Sequence, residues 1–249
     1  MRFSFYDLLI YALLFVFVVA FPVDLIPIAF IYQQVIRLSL RVLLLVYFGY
    51  IIYKNRIKIF GISNKVNLLL CIPFIAIAFS NMIAASIDGG FMGQSTSNSM
   101  FVINIAITFI SVIIEEIVFR LFIHNSLVNT TSIKRIFGGA AIFALCHLLN
   151  IVSVRTVYAL VGVLVQTIYT FGLGILLGFL YEYSYSLLGA IGLHFIFNFF
   201  NTTLYEYMGG YTSTLAFYLT AVVLGVEVGI YTFLIYRYKF SKFERYYRA

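Results

Sequence analysis

Eight apolar blocks, each close to 20 residues long, recur along this 249-residue chain. About 20 such residues cross the hydrocarbon core of a bilayer as a helix. The predicted spans are 5–22, 30–53, 66–87, 100–124, 136–153, 156–181, 187–205 and 213–237. A transmembrane β-barrel would show shorter segments of about ten alternating residues, a pattern absent here. Charged residues make up 10% of the chain, against about a quarter in soluble domains. No polar stretch is long enough to build a water-soluble domain. The expectation is therefore an all-α, polytopic transmembrane helical bundle, one membrane domain over 1–249.

The N-terminal block "MRFSFYDLLIYALLFVFVVAFP" lacks a small-x-small cleavage pattern and reads as a retained first helix rather than a signal peptide. Cys71 and Cys146 both lie in apolar runs, where thiols act as packing residues; no disulfide framework is expected. The net charge of +7 calls for no nucleic-acid partner, because the basic residues flank apolar spans. There they read as topology signals and contacts to anionic lipid. The loop "KNRIKIFGISNK" is predicted cytoplasmic, and an even number of spans then puts both termini on that side, in agreement with the basic tail "RYKFSKFERYYRA" and the Lys134–Arg135 pair. Arg155, in a predicted outer loop, is an exception. Arg37 and Arg41 share one face of the second span and are read as anchors that snorkel, pair with Asp24 or meet lipid headgroups.

The stretch "IIEEIVFR" places Glu115, Glu116 and Arg120 inside an apolar span, where each charge costs about 2.5–3.5 kcal/mol on insertion scales. Glu116 and Arg120 are four residues apart and can pair on one face. Glu115 is turned about 100° away, onto the stripe of Ser111 and Thr108, and has no partner within its helix. Such a carboxylate suits general acid–base work. Later spans carry "FALCHLLN", with Phe143 and His147 at i and i+4, and "LHFIFNFF", with His194 and Asn198 at the same spacing. Counting about 1.5 Å per residue, Glu115, His147 and His194 lie roughly 10–20 Å deep, in one layer. Singly, an intramembrane His or Asn is usually interhelical glue. Together at matched depth they read as a site, because burying the set without a use is expensive.

Taken in order, Glu115-Glu116-x-x-x-Arg120, Phe143-x-x-x-His147 and His194-x-x-x-Asn198 resemble the CPBP family: type II CAAX prenyl proteases and the bacteriocin-processing membrane proteases also called Abi proteins. The resemblance covers about 100–205, a catalytic core, and leaves the first three spans and the last without a family signature. It implies an intramembrane endopeptidase with a catalytic cavity between helices, open toward the cytoplasm. It further implies that Glu115 activates a water which His147 helps hold, that His194 and Asn198 stabilise the oxyanion, and that Glu116 and Arg120 orient the site, with Phe143 beside them.

Glu115, His147 and His194 can also be read as ligands of zinc, which takes His and carboxylate donors and keeps an open position in catalytic sites. No HExxH helix is present, and Arg120 would compete with a cation, so a metal-free mechanism is favoured. Ser111 lies on the Glu115 stripe without a nucleophile elbow, and no mid-span Asp pair supports an aspartyl mechanism. A lipidated or transmembrane substrate fits a cavity reached from bilayer or cytoplasm, and the resemblance implies a peptide precursor such as a bacteriocin or pheromone. The composition suggests a bacterial cell membrane. The main alternative is a non-enzymatic immunity or regulatory protein that binds a peptide or partner through the same cavity. A small proton-coupled transporter ranks below it, since no inverted repeat is visible. His124 is read as interfacial, Glu182 as near a span end and Glu227 as facing the bundle, while Gly172, Gly174 and Gly178 are read as close helix packing. Oligomeric state is not readable.

Overall fold

The computed structural model describes residues 3–19, 21, 23, 26–57, 59, 71–87, 97–127, 129–154, 156–184, 186–204, 207, 214–235 and 237. Among the described residues eight α-helices follow one another: α1 (Phe5–Val19), α2 (Phe30–Lys54), α3 (Cys71–Ile87), α4 (Asn98–Glu116), α5 (Ser132–Leu148), α6 (Val157–Ser184), α7 (Leu187–Asn198) and α8 (Thr214–Ile235). Two of them do not stop at their last α-helical residue. A π-helical segment, Ile117–His124, continues α4, and another, Phe199–Leu204, continues α7. No β-strand occurs among the described residues.

Local sequence accounts for several helix starts. Ser97, Thr131 and Ser186 each sit just before a helix in extended backbone and accept a bond from the amide three residues on, at 3.4, 3.4 and 3.1 Å. Each satisfies one of the amide donors that a helix start leaves open. Among the described residues, five helical stretches are long and apolar enough to cross a membrane: Phe30–Lys54, Asn98–His124, Ser132–Val152, Ala159–Glu182 and Leu187–Leu204. The chain is thus a helical integral membrane protein. The apolar helices Tyr6–Val19 and Val222–Leu234 are shorter, and residues 66–70 of the predicted third span lie outside the described residues.

Two apolar clusters flank a common seam. The first joins α1, α2 and the π segment after α4 through Phe15, Phe48, Phe119 and Phe122, and reaches Phe143 of α5. The second joins α5, α6, α7 and α8 through Ile136, Ala140, Leu177, Phe197 and Val228. Helix α5 contributes to both, so its Phe143 turn lies where the clusters meet.

The glycines of α6 set how close its neighbours come. A Cβ at Gly174 would stand 3.0 Å from the Cα and Cβ of Ala140 and 3.2 Å from Phe143 Cδ1. One at Gly172 would stand 3.0 Å from Val228 Cγ1 on α8. The small residues let helices touch, as the spacing predicts. Gly174→Val should force α5 and Phe143 away and lower stability by about 1–3 kcal/mol, the usual range for overpacking. A thermal unfolding series in lipid checks this; an unchanged midpoint would mean α5 yields freely.

Candidate active site

Three helices, α4, α5 and α7, bring the polar residues together. Glu115 and Glu116 end the α-helical part of α4, and the π segment begins at the next residue. Its wider i→i+5 register, rare in proteins and frequent at functional sites, holds Arg120, which is fully buried. Arg120 Nε donates to Glu116 Oε2 at 3.0 Å, as the four-residue spacing predicts. The pair is not self-contained. The other Glu116 oxygen, Oε1, accepts from His194 Nδ1 at 2.8 Å, across 78 residues of sequence. Glu116 therefore joins the Arg120 pair to the histidine of α7, a link that i,i+4 arithmetic within one helix does not show.

The other ring nitrogen of His194, Nε2, lies 3.2 Å from Asn198 Nδ2 and 3.5 Å from Glu115 Oε2. With Nδ1 donating to Glu116, a neutral ring presents its Nε2 lone pair to the Asn198 amide, and a proton on Nε2 turns that position into a donor. Glu115 is 7% exposed, and its Oε2 is buried without a hydrogen-bond partner. Of the two adjacent carboxylates, one is occupied on both oxygens and the other keeps an open acceptor.

Phe143 forms the floor. The Arg120 guanidinium carbon stands 5.6 Å from its ring centroid, within cation–π range. The ring also meets His147 and His194 edge-on, with centroids 4.6 and 5.8 Å apart. His147 Nδ1 donates to the Phe143 carbonyl at 2.9 Å, because a carbonyl only accepts, and this leaves Nε2 as the basic face of the ring. Among the described residues, His147 makes no direct bond to Glu115 or His194. The structure thus gathers Glu115, Glu116, Arg120, His194 and Asn198, with Phe143 beneath them and His147 at the edge.

One placement differs from the sequence-based expectation. Arg41 does not snorkel. It is 8% exposed, and its Nε donates to Ser111 Oγ at 2.8 Å while Nη1 donates to the Arg37 carbonyl at 3.1 Å. Asp24, its suggested partner, lies outside the described residues. His124, the last residue of a candidate span, is buried inside the protein: it is 2% exposed, and its Nε2 meets Glu182 Oε2 at 2.6 Å. Glu182 also accepts from Ser132 at 2.6 Å and from Arg135, so α4, α5 and α6 are pinned at one end by a second buried polar cluster. Glu227 Oε2 is buried without a hydrogen-bond partner. Only a partner 58 or 70 residues distant in sequence draws His124 or Arg41 inward, which hydropathy along one helix cannot register.

Among the described residues, no three His, Cys, Asp or Glu side chains gather as ligands for a metal ion. Glu116 is taken by Arg120 and His194, and His147 is turned to its own helix. The trio Glu115, His147 and His194 does not fit zinc in this arrangement.

Comparison with known proteins gives one family. The sequence profile of the type II CAAX prenyl endopeptidase Rce1-like family matches residues 97–200. No curated protein and no solved structure matches the chain. The matched segment begins at the cap of α4, ends in the π segment after α7 and contains every residue of the buried carboxylate–histidine site. Over residues 97–200, within a helical membrane protein, the chain is similar to the type II CAAX prenyl endopeptidase Rce1-like family.

Proposed function

We propose that Glu115 is the base that activates a water to hydrolyse a peptide bond in a membrane-associated peptide. The observation that carries this reading is the buried Oε2 of Glu115, which has no hydrogen-bond partner and lies 3.5 Å from His194 Nε2, beside a carboxylate with both oxygens engaged. Glu115 takes a proton from water, and the hydroxide oxygen bonds to the scissile carbonyl carbon. The oxyanion that forms is stabilised by the Asn198 amide and by a protonated His194 Nε2, aimed by the Glu116 bond at Nδ1. Glu115 then returns the proton to the leaving nitrogen as the carbon–nitrogen bond breaks. Glu116 and Arg120 hold His194, and the Nε2 face of His147 helps hold the water. The substrates in view are bacteriocin- or pheromone-like precursors and lipidated or transmembrane segments. The site is taken to face the cytoplasmic half, with residues 100–205 as catalytic core.

Removing one oxyanion donor typically lowers kcat by about 10²–10³-fold. Asn198→Ala should do so with little change in KM, measured with a cleaved peptide in lipid. The test of the whole reading is cleavage of a panel of membrane-associated peptides, with and without chelator. Cleavage that survives chelator supports an activated water. Cleavage lost to chelator and restored by zinc would make the same residues metal ligands in the working enzyme. A wild-type protein that cuts nothing would return the cavity to a peptide-binding role.

A further inference from the structure

We infer that Arg41, on α2 and outside the family-matched segment, is a positioning residue for the Glu115 carboxylate. The inference rests on the reading of Glu115 as the base. A buried carboxylate without an opposite charge nearby is costly in a membrane, and Arg120 is already bonded to Glu116. The titratable and charged groups around Glu115 are His194 of α7, Cys146 of α5, Tyr169 of α6, Glu116 on its own helix and Arg41 of α2. Among the described residues, Arg41 is buried near the two carboxylates and makes no carboxylate bond.

The geometry explains why a cation held at a distance serves better than a direct pair. Ser111 is one turn before Glu115 on the same helix face, and its hydroxyl accepts the Arg41 Nε–H at 2.8 Å. The Arg37 carbonyl holds Nη1 at 3.1 Å. These two bonds stop the guanidinium short of the carboxylate. A direct ion pair would occupy the oxygen that must accept the proton of water. From its place one turn away, Arg41 offsets the buried charge and leaves Oε2 open. Ser111, which lies on the Glu115 stripe without a nucleophile elbow, is the tether of that cation.

Arg41→Met and Arg41→Lys decide the matter, prepared as full chain in lipid. Arg41→Met should lower kcat about a hundredfold, the scale of a misplaced catalytic group, with KM little changed; Arg41→Lys, which keeps the charge, should recover most of it. Unchanged kcat in Arg41→Met overturns the inference. A thermal double-mutant cycle needs no substrate. Arg41→Met should lower the unfolding midpoint clearly in wild type and less in the Glu115→Gln background, where no charge remains to offset. Equal drops in both backgrounds overturn the inference. Arg41→Gln serves if Arg41→Met does not fold. Should wild type cut no peptide, the proposed function fails, while the thermal cycle still decides whether Arg41 and Glu115 are coupled.

Discussion

Glu115→Gln should reduce peptide cleavage by about 10²–10⁴-fold, the contribution usual for a positioned general base, and leave the fold intact. The amide keeps the size and shape of the carboxylate but cannot accept a proton from water. Little structural loss is expected, because Oε2 has no hydrogen-bond partner to lose. The measurement pairs turnover of a cleaved peptide with an unfolding midpoint on the same preparation. Turnover retained in Glu115→Gln would remove this residue as base. Turnover lost together with the fold would make it structural. The neighbouring substitution supplies the contrast: Glu116→Gln removes a charge that Arg120 Nε and His194 Nδ1 both bond, so stability and cleavage should fall together.

How much of this was legible in the sequence depends on whether the information is local. Apolar block length and the breaks between blocks foretell the eight helices, since a bilayer demands internally bonded backbone. Spacing of four within single helices foretells the Glu116–Arg120 pair and the neighbouring placement of His194 and Asn198. Depth counting along antiparallel helices brings Glu115 and His194 to one layer. Two kinds of feature stay hidden. The π segments after Glu116 and Asn198 change the helical register without any Gly or Pro to announce it. Partners on other helices, such as Ser111 for Arg41 and Glu182 for His124, depend on tertiary packing. An arginine or histidine near a span end reads as an anchor until its partner's helix is in place.

The second large effect is expected at Arg120. Breaking a buried ion pair by removing one partner typically costs about 3–5 kcal/mol, because the other charge is left uncompensated. Arg120 and Glu116 are both fully buried. Arg120→Met fills much of the same volume over Phe143 but leaves Glu116 bonded to His194 alone. Its unfolding midpoint should fall sharply, and the Glu116→Gln, Arg120→Met double variant should recover much of the loss, since no unpaired charge remains. Cleavage should not recover with stability. His194 Nδ1 would face an amide in place of the carboxylate, and the ring would lose the charge that aims Nε2 toward the oxyanion. A double variant that regains both stability and turnover would show that the buried pair serves only the fold. One that regains stability alone separates the two roles, and makes Glu116 the residue that transmits the charge of Arg120 to the catalytic histidine.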